Sequence, residues 1–295
     1  IDEWAKRRSN QVGSRYVAEG ISTIKKFKEF HSTLTGVSWA VVQQWVDILG
    51  QQNVNSRTIR GYMTNLKHYW KHVIRMERDK DAEDINAFTE HEIPTSHHAI
   101  RKAWESEDVR RLLQTETITI KNKPILKDLI MIGMFTGARI EEICQLQKKD
   151  VVLKDNIKCL YIDKSKTDRH HNFGKRNTPI HSKLDPIIVR LLEQLDKEEE
   201  YLIPITTKVI NGKRSTALSK NFGYHKKYLG FSSKQTNATY SQELRDFHSL
   251  RTTVNSFLRN KKVEQKHREV ICGWSKAFKN QSMAETAYND MEMSY

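Results

Sequence analysis

The sequence is poor in cysteine and has no long apolar run. Its three cysteines, Cys144, Cys159 and Cys272, lie far apart among 295 residues. An odd, sparse set without a CxxC pair argues against a disulfide framework or a zinc ribbon, and makes a reducing cytoplasm the default. No uninterrupted hydrophobic stretch is long enough to span a bilayer, because Lys127 and Asp128 break into the longest candidate. The opening, "IDEWAKRRSN", has neither the apolar centre of a signal peptide nor an initiator Met, and reads as the start of a fragment of a longer chain. Internal repeats and low-complexity tracts are missing too.

Positive charge, in contrast, is plentiful. Lys and Arg number 50 against 36 Asp and Glu, a formal net charge of +14. Such an excess points to a polyanionic partner, nucleic acid ahead of an anionic membrane surface. Charged residues at 29% and hydrophobic ones at 37% fit a globular protein better than a disordered or membrane-embedded one. The length has room for two domains. Residues 1–100 hold 14 Lys+Arg against 12 Asp+Glu, whereas residues 101–295 hold 36 against 24. The two parts therefore read as different modules, with the electrostatic footprint in the second.

The first module reads as helices. Tyr16, Ile21, Ile24, Phe27 and Phe30 recur at helical spacing between Val12 and Phe30. "SWAVVQQWVDILG" opens at Ser38, an N-cap candidate, and stops at Gly50. In the next segment Ile59, Tyr62, Met63, Leu66, Tyr69, Trp70, Val73 and Ile74 form one apolar stripe. Arg57, Arg60, Lys67, Lys71, Arg75 and Arg78 occupy the other face. That basic face suits phosphate contacts, or equally a solvated surface. The pattern lapses at "TEHEIPTSHHAIRKAW", which sets the boundary between about Glu90 and Lys102. We take residues 1–92 as the first domain, 93–102 as linker and 103–295 as the second domain.

The second module opens with "SEDVRRLLQ", a helix start capped at Ser106, followed by the apolar run "LIMIGMFTGARIEEICQL". "IKCLYIDKSKTDRHHNFGKRNTPIH" alternates like two short strands around a basic turn. Helices are expected at Leu184–Glu199, in "ALSKNFGYHKKYLG", and then in "QELRDFHSLRTTVNSFLRN", "VEQKHREVICGW" and "SMAETAYNDM". The expected class is mainly α with a small antiparallel β element (α+β).

A glycine and an arginine directly after the most hydrophobic run raise a question. Arg139 either marks a helix surfacing or is held by a rigid mount toward an anion. His248 and Arg251 stand three apart and share a helix face, with Leu250, Val254, Phe257 and Leu258 on the buried side. Trp274 follows a glycine turn, and Tyr288 falls on the last expected helix, where a phenolate can attack phosphorus. The paired histidines His97–His98 and His170–His171 have no carboxylate or cysteine set at ligand spacing, so a metal-dependent nuclease is the weakest alternative.

Taken in order, "TGARIEE", "SKT", "HSLR", "CGW" and "AY" resemble the tyrosine recombinase (phage integrase) family from about Ser106 to the end. The resemblance implies a helical core-binding domain and a mixed catalytic domain forming a C-shaped DNA clamp. It implies that Arg139, Lys166, His248, Arg251 and Trp274 are catalytic, with Tyr288 the nucleophile and Glu142 supporting the arginines. Glu141 is the alternative for that support. Lys164 and Lys175 share the hairpin with Lys166, and together with Arg169 they join Arg57, Arg60, Lys67, Lys71 and Arg75 as expected DNA contacts. Trp274 stands where most members have a histidine. The longer gap from Trp274 to Tyr288 leaves Tyr295 as a second candidate nucleophile.

The implied activity is site-specific cleavage and rejoining through a 3′-phosphotyrosyl link, in integration or excision of a mobile element, with no metal or other cofactor. The implied partners are double-stranded DNA with inverted half-sites, a second copy on one site, four copies at synapsis, and DNA-bending accessory proteins, with no membrane. The implied setting is a bacterial or phage nucleoid. A binding-only protein on the same fold and a type IB topoisomerase are the alternatives.

Overall fold

A computed structural model of the chain describes residues 1–77, 86–95, 100–114, 123–163, 175–205, 209, 212–231 and 243–273. The chain divides into two units, Ile1–His98 and Ala99–Tyr295. Among the described residues the architecture is mainly helical with small sheets, and no helix is long and apolar enough to cross a membrane.

The first unit contains α1 (Asp2–Ser9), α2 (Ser14–Phe30), α3 (Trp39–Gln51) and α4 (Ser56–Glu77). The stripe on α4 is core, since Ile59, Met63, Leu66 and Val73 are all buried. Ile59, Met63 and Leu66 pack with Ile24 and Phe27 of α2 and Val42, Trp45, Val46 and Leu49 of α3, each apolar side chain removed from water contributing on the order of 1.5–3 kcal/mol. Ser38 caps α3 as its sequence suggests, its hydroxyl accepting from Val41 N at 3.4 Å. Two features differ from the sequence reading. Tyr16 is exposed, because it lies in the first turn of α2, away from the core helices. The short α1 is an addition, docked by Trp4, which meets Tyr69 edge-on with centroids 5.9 Å apart.

The second unit runs β1 (Ile100–Arg101), α5 (Ser106–Leu113), α6 (Lys123–Thr136), α7 (Ile140–Cys144), β2 (Val151–Lys154), β3 (Ile157–Ile162), β4 (Arg176–Pro179), α8 (Asp185–Leu192), α9 (Thr216–Tyr228), β5 (Glu243–Leu244), α10 (Phe247–Asn260) and α11 (Gln265–Cys272). β1 and β5 pair in parallel, and β2-β3-β4 form an antiparallel sheet. β2 joins the two expected strands through a tight turn, Asp155–Asn156, in which both residues have positive φ, as a hairpin with the right-handed twist requires. Ser106 is the first helical residue of α5, after Glu105, and makes no side-chain cap. α8 is shorter than the expected 184–199.

α6 is the buried centre of this unit, with Leu129, Ile130 and Ile132 fully shielded. Asp128, which interrupts the apolar run, is itself buried and receives Arg190 Nη2 at 2.6 Å. α10 lies against α6, and its start is fixed when Trp104 Nε1 donates to Asp246 O at 3.0 Å. All three cysteines are free and buried.

Candidate active site and nucleic-acid interface

The question raised by "TGAR" is answered at the end of α6. Thr136 Oγ1 donates back to Ile132 O at 2.6 Å and accepts from Ala138 N at 3.1 Å, which closes the helix inside the core. Gly137 then turns with φ +61°, where any Cβ would sit 3.1 Å from Cys272 Sγ. The sharp turn makes Arg139 the residue before α7, with its side chain a quarter exposed. Its backbone N–H donates to Glu142 Oε2 at 2.9 Å and its Nη1 to Glu142 Oε1 at 2.5 Å. Arg139 is therefore held at both ends of the residue by one carboxylate, on a rigid apolar helix.

The two neighbouring glutamates have separate tasks. Glu142 is buried with Arg139 and also accepts from Arg176 Nη2 at 2.9 Å. Burial alone would raise the pKa of its carboxyl, but the charges of Arg176 and Arg139 and the hydrogen bonds they make outweigh that and hold it at about 2. Glu141 faces elsewhere, accepting from Arg214 N at 3.0 Å and Ser215 N at 2.9 Å, and so fastens the start of α9. Its carboxyl is partly buried, which would raise its pKa, yet hydrogen bonds from the Ser215 and Gln145 side chains, and then from these backbone groups, leave it below its ordinary value.

α10 carries the HxxR pair. Asp246 caps it, accepting from Ser249 N at 3.0 Å. His248, in the first turn, is exposed, whereas Arg251, one turn deeper, is only 2% exposed. Arg251 Nη1 donates to Gly137 O at 3.0 Å and Nη2 to Gly273 O at 2.9 Å. Burial, and after it the positive charge of Arg139, lower its pKa to about 10, so it remains charged at neutral pH. Two backbone carbonyls thus aim the guanidinium without cancelling its charge. Leu250 and Val254 bury the other side of the helix, but Phe257, expected there, is 59% exposed although it lies on the same face two turns beyond Leu250.

The structure brings Arg139, Glu142 and Arg251 together, and it adds a residue that the sequence reading missed. Arg176, the first residue of β4, has no exposed side-chain surface, and its Nε donates to Ile271 O at 3.1 Å. In the sequence it is only one basic residue among several in the expected hairpin. Lys175, beside it, pairs with Asp163 at 3.0 Å across the base of the hairpin. Lys164, Lys166, Arg169, Trp274, Tyr288 and Tyr295 lie outside the described residues, as do His97–His98, His170–His171 and the helix expected at "SMAETAYNDM".

In the first unit Arg57, Arg60, Lys67 and Lys71 are all exposed on α4, opposite its core stripe; the Arg75 side chain and Arg78 fall outside the described residues. Arg8 of α1 extends this positive face. Partial burial, then the charges of Arg8, Lys71 and Lys67, lower the His68 pKa.

This fold is found in solved integrases bound to DNA. A lambda integrase tetramer bound to a Holliday junction superposes with a TM-score of 0.70 at 15% identity, covering 95% of this chain and 77% of that one. Lambda integrase bound to DNA gives 0.68 at 15% identity, covering 100% and 97%. The Tn1549 transposon integrase in complex with circular intermediate DNA gives 0.65 at 18%, covering 96% and 93%. A search of curated proteins returns no match. The architecture is thus that of an integrase catalytic fold, mostly helical with a three-stranded antiparallel sheet. The chain belongs to the phage integrase family, whose profile matches residues 102–294.

Proposed function

We propose that the chain is a site-specific DNA recombinase that cleaves and rejoins strands through a covalent 3′-phosphotyrosyl intermediate, in the integration or excision of a mobile element. The observation that carries this reading is the pair of guanidiniums. Arg251 is kept buried beside Arg139 although each cation disfavours the other. Like charges held together at such a cost, on carbonyl and carboxylate mounts, are an arrangement suited to a phosphodiester.

In this reading Arg139 and Arg251 take the non-bridging oxygens through paired N–H donors. They stabilise the charge that gathers in the five-coordinate transition state, where one such donor is worth on the order of 3–4 kcal/mol. Tyr288 attacks phosphorus in line; the P–O5′ bond breaks, and the tyrosyl oxygen becomes linked to the 3′ phosphate. His248, exposed at the start of α10, assists the transfer of the phenol proton. Lys166 gives a proton to the departing 5′ oxygen. The engagement of Lys175 with Asp163 supports Lys166 over Lys175 for that role. Trp274 donates its indole N–H to a phosphate oxygen. A partner strand's 5′ hydroxyl then reverses the step, so ATP is not needed.

The two units, taken as a core-binding domain of residues 1–92, a linker of 93–102 and a catalytic domain of 103–295, would form a clamp on inverted half-sites. The exposed cations of α4, with those of the hairpin, would contact phosphates. Two copies would occupy one site and four would meet at synapsis, with DNA-bending proteins as accessory partners.

The test uses nicked duplexes with a randomised core, incubated in EDTA and captured under denaturing conditions. The expected result is a covalent adduct retained by Tyr295→Phe and lost in Tyr288→Phe, while Arg251→Ala binds the pool yet forms no adduct. Tight binding by the wild type without any adduct would instead favour a binding-only protein. Relaxation of supercoils without strand exchange would favour a topoisomerase.

A further inference from the structure

We infer that Arg176 is a positioning residue of this site: it locks β4 to both arginine mounts at once. The inference rests on the recombinase reading above, and it assigns a task to a side chain outside the family motifs that define that reading. Arg176 begins β4, the returning strand of the hairpin. Its Nη2 donates to Glu142 Oε2 at 2.9 Å, on the carboxylate that holds Arg139. Its Nε donates to Ile271 O at 3.1 Å, in the last turn of α11.

Two residues beyond that carbonyl, Gly273 turns the chain with φ +65° and presents its own carbonyl to Arg251 Nη2 at 2.9 Å. Trp274 follows directly in the chain. The fit is close: a Cβ on Gly273 would lie 2.5 Å from Arg176 Nη1, so the guanidinium occupies the space that the glycine leaves. One fully covered side chain therefore ties β4 to the elements that mount Arg139 and Arg251. A displacement of any of them moves a donor meant for the phosphate, and misplacement of about 1 Å costs on the order of 100-fold in rate.

Burial sharpens the point. A guanidinium with no exposed side-chain surface is expensive to keep, and replacing a buried ion pair by apolar side chains is often neutral or favourable for stability. Removing Arg176 alone is a different change, since it leaves buried Glu142 one partner short, so adduct rates are compared per folded protein. Lysine cannot substitute: its single ammonium on a flexible stem does not reproduce the planar fork that reaches Glu142 and Ile271 together.

The test compares Arg176→Lys and Arg176→Met with the full wild-type chain on two versions of one suicide substrate. In the first the scissile group is a normal phosphodiester; in the second it is a methylphosphonate, in which a methyl replaces one non-bridging oxygen and removes the charge. The neutral centre has less need of two aligned arginines. Both variants are expected to bind the duplex as the wild type does. They should form the covalent adduct about 100-fold more slowly on the phosphodiester, with the deficit reduced to under about 10-fold on the methylphosphonate.

Adduct formation within about 3-fold of wild type on the phosphodiester would overturn the inference. So would an equal deficit on both substrates, or loss of folding or DNA binding in both variants, either of which would make Arg176 a stability residue only. If the wild type forms no adduct on either substrate, it is the recombinase reading that fails, and the positioning role fails with it.

Discussion

Replacing Glu142 by Gln changes little in shape and removes one charge from beneath Arg139 and Arg176. Three donors then compete for a single amide oxygen, while the amide NH2 group faces cations. The carboxyl is held at about 2 against an ordinary 4.5, which corresponds to a folding contribution of about 3 kcal/mol at neutral pH. Because the folded value is the lower one, that contribution is complete above the unfolded value and disappears as the pH falls from 4.5 toward 2. Breaking a buried pair by removing one partner costs a similar amount, about 3–5 kcal/mol. Urea denaturation at pH 7 should therefore show Glu142→Gln less stable by about 3 kcal/mol, with a melting temperature lower by about 6–12 °C for a unit of this size. At pH 3.5 the difference should shrink to roughly 2 kcal/mol, because the carboxylate is by then mostly protonated in the unfolded chain. A difference below about 1 kcal/mol at pH 7, or one that stays constant down to pH 3.5, would refute the claim that Glu142 is an ionised, paired carboxylate in the folded protein.

Neutralising Arg57, Arg60, Lys67 and Lys71 together should leave the thermal stability of the chain unchanged, since all four are exposed. If they meet phosphates, the slope of log affinity against log salt should flatten by about 3–4, measured by fluorescence anisotropy on a duplex. Gly273→Ala should cost about 1–2 kcal/mol from the left-handed backbone alone. Because its methyl would also displace Arg176 and tilt the carbonyl that holds Arg251, adduct formation should fall by more than the loss of folded protein measured by thermal denaturation.

Much of the fold was legible where one physical signal dominated. α3 and α4 follow from uninterrupted 3.6-residue periodicity and, for α3, a serine cap that the structure retains. β2 was missed because its four residues alternate too briefly, although the Asp155–Asn156 turn beside it was a usable signal. α1 carried a single large apolar residue, Trp4, and periodicity needs more than one point. The reverse error, an apolar Phe257 read into the core, arose because spacing places a residue on a face without revealing how far along the helix the neighbouring layer extends.

The site divides in the same way, and the division shows what kind of information a motif holds. Arg139, Glu142 and Arg251, which the structure brings together, stand out in the sequence because each sits at a fixed spacing from a partner on its own helix or turn. The family resemblance picks Glu142 over Glu141 for the arginine, and the structure agrees, but spacing does not explain the choice. Both lie in the same five-residue helix, and their opposite tasks are set by what arrives from elsewhere: the 214–215 backbone to one, Arg176 to the other. Arg176 itself has no helical neighbour to announce it. Its proposed role comes from elements distant in sequence meeting at one guanidinium, one of them through the backbone carbonyl of Ile271, which any residue could supply. Spacing therefore names the groups that would touch the phosphate, while the side chain that holds them to a common geometry can be found only once the chain is folded.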